Sequence, residues 1–247
     1  MPLDHLDHLR RDAHRLADIV AESPPEAEVV GCPGWTLRDV AGHTGFVHRW
    51  AREALLTAAP PQIDPAADPV PDQPAGVADW LRAGAERLLA SLAAADPTAP
   101  TWHPFPVEPK VAGLWRRRQS QETFVHRLDA EMAIGVSSDI DAELAADGVD
   151  EYWTVMLPRM LSREKLTPPA SVLRVRLTDQ PGEWTVDGAT GTVVLVPGSG
   201  ATTPAATLGG TAADMLLRLW GRPVAPDAIA VEGDAQVAAA WLALGGA

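Results

Sequence analysis

The sequence predicts a helical N-terminal part followed by a small mixed α+β domain. From residue 3 to about residue 161, apolar side chains recur at spacings of three and four, which is the period of an amphipathic helix. After Pro168 and Pro169 the segments become shorter, alternate in polarity and are separated by turn residues, which is typical of strands. We therefore assign residues 1–165 to a helical domain and residues 166–247 to an α+β domain.

Several of the helices carry recognisable start and stop signals. Thr36 and Asp39 have the spacing of a capping box, which predicts that the second helix begins there. Gly135 is a natural stop for the fourth helix, and Pro158 should kink or end the fifth. The predicted helices cover about residues 3–23, 36–57, 76–95, 112–134 and 141–161. The proline-rich stretch 60–74 is expected to form a surface loop.

The C-terminal part alternates short strands with short helices. Strands are expected at about residues 171–177, 183–186, 192–196 and 228–231, with a further candidate at 202–208. Helices are expected at about residues 211–220 and 236–244. This order predicts one small mixed unit rather than a repeat.

Composition and charge exclude several classes of protein. Hydrophobic residues make up 46% of the 247 residues, enough for a core, and the net charge of -13 disfavours nucleic-acid binding. No apolar run reaches the roughly 20 residues of a membrane span, and the N-terminus lacks the pattern of a secretory signal. Cys32 is the only cysteine, so an internal disulfide is impossible. We expect a cytoplasmic protein with no membrane or nucleic-acid partner; the oligomeric state does not follow from the sequence.

The strongest chemical signal is a possible metal site. Glu122 and His126 lie four apart on a predicted helix, so both side chains can reach one ion, and His43 on the second helix faces the predicted interior. A carboxylate and two imidazoles are good ligands for zinc and similar divalent ions, and three ligands leave an open position for chemistry. A solvated Glu–His pair and a hydrogen-bonded core histidine are the alternatives from spacing alone. Burial favours the metal site, since an unpaired buried acid is costly.

Other polar residues are weaker candidates. His48 lies about 140° round the helix from His43 and is interpreted as a surface or loop-facing histidine. Asp129 either orients the His126 imidazole or is an ordinary surface acid. The arginines at 116–118 either bind an anionic ligand, with Arg116 and Arg118 as the cofactor-binding candidates, or form a solvated first helical turn.

Two motifs carry a resemblance to a known family. Cys-Pro-Gly-Trp-Thr-Leu-Arg-Asp-Val-Ala-Gly-His, residues 32–43, and Trp-Arg-Arg-Arg-Gln-Ser-Gln-Glu-Thr-Phe-Val-His-Arg-Leu-Asp-Ala-Glu, residues 115–131, resemble motifs of the mycothiol-dependent maleylpyruvate isomerase family. That family belongs to the wider DinB-like four-helix metalloproteins. The resemblance extends over nearly the whole chain, because residues 166–247 look like the family's small second domain, which is related in shape to sterol-carrier-like folds.

The resemblance implies a fold, cofactors and roles for residues. It implies a DinB-like four-helix bundle, a zinc-like ion held by His43, Glu122 and His126, and mycothiol as the thiol co-substrate. A metal would lower the pKa of the bound thiol, and the thiolate would attack a small electrophilic substrate. An arginine of the second domain is expected to bind an acidic substrate, with Arg222 as the first candidate and Arg218 as the second.

The reaction itself is left open by the resemblance. Addition of the thiol to a conjugated double bond, rotation and elimination would make an isomerase, whereas a thiol that stays attached would make a transferase. A metal-dependent hydrolase using an activated water, and a non-catalytic small-molecule-binding protein, are the alternatives on the same fold.

Overall fold

The computed structural model describes residues 3–191, 193–198 and 202–245. The chain divides into two compact units, Met1–Asp139 and Ile140–Ala247. The first unit is helical and the second is built on a sheet, which confirms the predicted fold class. Within the described ranges, no helix combines the length and the apolar character that crossing a membrane would require.

The first unit is a bundle of four long helices. Helices α1 and α2 each pack against both α3 and α4. One core cluster joins Leu16 of α1, Val40 of α2, Leu81 of α3 and Ala130 of α4. The helices are α1 (His5–Glu22), α2 (Leu37–Thr57), α3 (Pro74–Ala94) and α4 (Gly113–Ala133). All four agree with the predicted helices to within a few residues at each end.

The predicted start and stop signals act as expected. The Thr36 hydroxyl accepts a hydrogen bond from the backbone of Asp39, and the Asp39 carboxylate accepts one from the backbone of Thr36, so the capping box is complete. After α4, Gly135 adopts a left-handed φ of 69°, and the next residue, Val136, donates its backbone N–H to the Glu131 carbonyl.

The proline-rich loop lies on the surface, as predicted. It contains one short 3-10 turn, Pro65–Ala67, and is held to the bundle by Asp68. The Asp68 carboxylate accepts hydrogen bonds from Arg49 Nε at 2.6 Å and from Trp80 Nε1 at 2.9 Å. These contacts attach the loop to α2 and α3.

The second unit begins earlier in the chain than the predicted boundary at 165/166. The fifth predicted helix is split into α5 (Ala142–Glu151), a π-helical turn (Tyr152–Met156) and α6 (Leu157–Glu164). The interruption directly precedes Pro158, which lacks the N–H that a regular helix needs. These helices belong with the sheet because α5 packs on a later helix and because Tyr152 and Trp153 contact aromatic rings of the C-terminal residues.

The sheet has five described strands in the order β3-β2-β1-β4-β5. The strands are β1 (Val172–Leu177), β2 (Glu183–Asp187), β3 (Val194–Pro197), β4 (Ala206–Gly210) and β5 (Ala230–Gly233). β1 and β4 run parallel, and the other neighbours are antiparallel. The strand predicted at 192–196 is present from Val194, with Thr192 outside the described residues, and the candidate at 202–208 forms a strand only from Ala206.

Two helices complete the second unit. They are α7 (Ala212–Leu219) and α8 (Ala235–Leu242), close to their predicted bounds. Thr211 caps α7, and the fully buried Trp241 of α8 donates its indole N–H to Ser171 beside β1. Both helices therefore bury their apolar faces within the unit.

Candidate metal centre

The three predicted ligands converge between α2 and α4. The Oε1 atom of Glu122 lies 3.0 Å from Nε2 of His43 and 3.4 Å from Nε2 of His126. All three donor atoms lie within 4.8 Å of one another. The structure therefore brings together two imidazole nitrogens and one carboxylate oxygen from residues up to 83 positions apart in the printed sequence.

Local sequence explains why the side chains meet. Glu122 and His126 are one helical turn apart on α4, so their side chains lie on one face, while α2 packs on that helix and supplies His43. The exposed fraction of the side chain is 36% for His43, 17% for Glu122 and 11% for His126. The donor atoms therefore lie in a partly enclosed place and not on open surface.

Asp129 orients the His126 ring. Its carboxylate lies 3.0 Å from Nδ1 of His126, and its side chain is fully buried. Of the two interpretations from the sequence, the ring-orienting role is confirmed and the surface acid is wrong. An imidazole that donates its Nδ1 proton to a carboxylate presents the lone pair of Nε2 on its other side, where a metal would bind.

Cys32 lies behind the same carboxylate. Its thiol donates to Asp129 Oδ2 at 3.5 Å. Cys32, His126 and Asp129 form a second group of potential ligands, in which Asp129 lies against Nδ1 of His126. Because Nδ1 of His126 is hydrogen-bonded to Asp129, we interpret this second group as one that holds the imidazole ring in place and not as a metal site.

Arg118 holds the other oxygen of Glu122. Its Nη2 donates to Oε2 of Glu122 at 2.7 Å, one helical turn along α4, and Arg118 is only 3% exposed. Arg116 points elsewhere: its guanidinium donates to the carbonyls of Leu92 and Ala95, at the C-terminal end of α3. The solvated first turn considered for these arginines is therefore wrong, while their predicted binding of a cofactor stays a prediction.

Burial and the neighbouring polar groups shift the pKa values of Glu122 and His126 in opposite directions. Burial raises the pKa of Glu122, but hydrogen bonds from His126 and His43 and the charge of Arg118 outweigh it, so this pKa lies well below its usual value. Burial lowers the pKa of His126, but hydrogen bonds to Asp129, Cys32 and Glu122 outweigh it, so this pKa lies well above its usual value. The two shifts share one cause, the hydrogen bond between the Glu122 carboxylate and the His126 imidazole.

The residues fit a divalent ion. The carboxylate and the imidazoles would hold a bound ion in their deprotonated forms, since metal ligands must give up their protons. The donor set of two nitrogens and one carboxylate oxygen suits zinc and leaves a further position for a ligand.

Comparisons with known proteins place the chain in a family. The family model for the mycothiol maleylpyruvate isomerase N-terminal domain matches residues 5–131, and the model for the MDMPI C-terminal domain matches residues 143–240. The chain belongs to the mycothiol maleylpyruvate isomerase family. The two matched segments meet near the division between the compact units at residue 139, and not near the predicted boundary. No curated protein matches the chain significantly.

Solved structures of one enzyme share the fold. The crystal structures of the mycothiol-dependent maleylpyruvate isomerase and of a histidine-to-alanine mutant of it each match with a TM-score of 0.60. Each comparison covers 94% of this chain and 93% of the other chain, at 14% sequence identity. At that identity the likeness concerns the fold, and the family membership rests on the family models.

Trp35 is a residue of this family member's site that the sequence analysis did not single out. Its ring lies 5.0 Å from that of His43 and 6.2 Å from that of His126, nearly parallel to the latter at 18°. The sequence position could have indicated Trp35, because this residue ends the turn that directly precedes Thr36, the N-cap of α2. Backbone hydrogen bonds from Trp35 to Cys32 and from Val29 to Trp35 hold this turn in place.

His48 is buried, so its interpretation as a surface or loop-facing histidine is wrong. Its Nε2 lies 2.8 Å from Oγ1 of Thr123, and that hydroxyl donates to the carbonyl of Gln119. The imidazole is therefore the donor to Thr123 and carries its proton on Nε2. Burial lowers its pKa to about 3. The sequence argument failed because α2 contacts both α3 and α4, which widens its buried arc.

The arginines predicted to bind substrate lie in the second unit. Arg218 is near the end of α7, and Arg222 follows in the next turn, where it is 7% exposed and donates to the Trp220 carbonyl at 2.7 Å. Their role in catalysis stays a prediction.

Proposed function

We propose that this chain is an enzyme that uses a divalent metal ion and mycothiol to isomerise, or to transfer the thiol to, a small electrophilic substrate. The observation that carries the proposal is the convergence of His43 Nε2, His126 Nε2 and Glu122 Oε1. Membership of the family supplies mycothiol as the thiol. We propose zinc as the ion, on the chemistry of the donor set.

Each residue of the site has a defined task in this proposal. His43, Glu122 and His126 hold the ion, and Asp129 fixes the ring of His126 through Nδ1. When bound, such an ion lowers the pKa of a thiol so that the sulfur reacts as a thiolate at neutral pH. The ring of Trp35 lies beside two of the ligands, 5.0 Å from the ring of His43 and 6.2 Å from that of His126.

The substrate is an electrophile with an acidic group. The thiol sulfur adds to a conjugated carbon, the former double bond rotates, and elimination of the sulfur returns the thiol in an isomerase. In a transferase the carbon–sulfur bond stays. We propose Arg222, with Arg218 second, as the group that binds the substrate's carboxylate, since a guanidinium matches a carboxylate in geometry and charge. The expected cytoplasmic location suits the use of a reduced thiol.

A thermal-shift titration tests the proposal. Apo protein should unfold at a higher temperature with zinc, and the shift should grow with mycothiol, because a ligand stabilises the state that it binds. The variant His43→Ala should lose both shifts. No ion in protein purified without chelator, together with no shift on adding zinc, would overturn the proposal. Turnover of an ester without any thiol would instead indicate a metal-dependent hydrolase on the same donor set.

A further inference from the structure

The two oxygens of Glu122 have different partners. Oε1 faces the imidazoles of His43 and His126, whereas Oε2 accepts a hydrogen bond from Arg118 at 2.7 Å. Arg118 and Glu122 lie one turn apart on α4, and the arginine side chain is only 4% exposed. The guanidinium is thus fixed within the bundle beside the ligand set.

We infer that Arg118 is a positioning residue that restricts Glu122 to one metal-binding oxygen and makes the open position favour an anionic thiolate. This inference rests on the proposed function, because it concerns the same ion and the same thiol. It differs from the prediction that Arg118 binds the cofactor directly, since here the guanidinium acts through Glu122.

The first step of the argument concerns coordination. Carboxylates bind cations through one oxygen or through both. A charge-assisted hydrogen bond to Oε2 stabilises that oxygen where it is and competes with a second bond to the ion. Glu122 then contributes one donor, the two imidazoles contribute two, and a fourth position is open in the tetrahedral arrangement that zinc prefers.

The second step concerns charge. The ion's double positive charge is offset by the carboxylates of Glu122 and Asp129, and Arg118 restores one positive charge among mostly buried groups. An anionic fourth ligand then neutralises the site, whereas water leaves the positive charge uncompensated in a region of low dielectric. Without Arg118 the balance shifts toward neutral water.

Cobalt(II) substitution gives a direct readout of both steps. Four-coordinate cobalt absorbs visible light more strongly than five- or six-coordinate cobalt, and a bound thiolate adds a charge-transfer band in the near ultraviolet. The full chain, stripped of metal, is titrated with cobalt and then with mycothiol, as the parent protein and as Arg118→Met and Arg118→Lys. Circular dichroism verifies that each variant is folded.

Arg127→Met is the matched control. Arg127 lies on the same helix, is 3% exposed and donates to the carboxylate four residues on, Glu131, at 2.6 Å. Its loss removes a buried ion pair of the same helical spacing, together with contacts to Asp12 and to the Asp139 carbonyl, without touching Glu122. The folded control should keep the parent spectrum and the parent affinity for mycothiol.

The expected results separate this inference from the proposed function. Arg118→Met should show weaker visible absorption and about tenfold weaker binding of mycothiol, the order expected from removing one nearby charge. Arg118→Lys, which keeps the charge and a donor, should stay close to the parent. Unchanged spectra in Arg118→Met, or equal losses in Arg118→Lys, would overturn the inference alone. A parent protein that binds no cobalt would overturn the proposed function as well.

Discussion

The imidazole of His126 uses both of its ring nitrogens. Nδ1 is held by the buried carboxylate of Asp129, and Nε2 faces the carboxylate of Glu122. The orientation of the ring is therefore determined before any ion binds. A ligand that is already oriented loses less conformational freedom on binding, so Asp129 should contribute to metal affinity without touching the ion.

Replacement of Asp129 tests this contribution. We expect Asp129→Asn to weaken zinc binding by about 10- to 100-fold, because the ring of His126 loses the partner that fixes its tautomer. Competition with a chromogenic chelator measures the change. Glu131→Gln is the control: Glu131 is equally buried on α4 but pairs with Arg127 and Arg15. If both variants lost affinity equally, general damage to α4 would be the cause.

His48 should make the stability of the bundle sensitive to acid. Its pKa is about 3 in the folded chain and 6.5 in its ordinary state, so between these values the unfolded chain binds a proton that the folded chain does not. Stability from the neutral ring is fully present above pH 6.5 and is lost as the pH falls toward 3. The slope is about 1.4 kcal/mol of unfolding free energy per pH unit.

Denaturant unfolding of the metal-free protein measures this slope. Between pH 7 and pH 5, the parent should lose roughly 2 kcal/mol more unfolding free energy than His48→Gln, which cannot gain a proton. Subtracting the two curves removes the contribution of all other titrating groups. Parallel curves would show that His48 gains its proton as readily in the folded chain as in the unfolded one.

At the scale of elements, two glycines of α2 differ in how closely their neighbours pack. Gly42 has room for a methyl group, whereas Gly45 does not. A methyl group on Gly42 would meet only Val70, at an ordinary 3.6 Å, whereas one on Gly45 would overlap the ring of Trp80. That ring cannot easily move, since Asp68 accepts its indole N–H and Arg49 stacks on its face. The close approach of α2 and α3 therefore requires glycine at position 45.

Two alanine substitutions test this difference. Gly45→Ala should lower the unfolding free energy by about 1–3 kcal/mol through overpacking. Gly42→Ala should raise it by up to about 1 kcal/mol, because alanine favours the helix. Denaturant unfolding of the two variants gives both values. A rise in both variants would mean that helix propensity, and not the Trp80 contact, determines stability at these sites.

Features carried by neighbouring residues were predictable from the sequence, whereas most features carried by distant residues were not; the approach of His43 to Glu122 and His126 is the exception. The capping box at Thr36 and the shared face of Glu122 and His126 depend only on spacing, and both are present. The burial of His48 depends on how three helices meet, so periodicity along α2 alone misplaced it. Arg118 and Glu122 also have helical spacing, but the sequence analysis did not predict their ion pair, because it did not establish that Arg118 is buried.

At the scale of the molecule, the boundary between the units depends on contacts distant in sequence. Residues 142–164 are helical, so their local pattern assigned them to the N-terminal domain. The rings of Tyr152 and Trp153 instead pack on Trp220 and Trp241, far along the chain. Burial of aromatic area is worth several kcal/mol per pair of side chains, and it outweighs the sequence proximity of α5 to α4.

Truncation of the chain tests where the boundary lies. A fragment of residues 1–139 contains His43, Glu122 and His126 and the whole four-helix core, so it should fold and show a zinc-dependent rise in melting temperature like that of the full chain. A fragment of residues 1–165 should be more prone to aggregate, because it exposes Tyr152 and Trp153 without their partners. Circular dichroism and light scattering compare the two fragments. If the longer fragment were the better folded one, α5 and α6 would belong to the bundle, as their helical pattern first indicated.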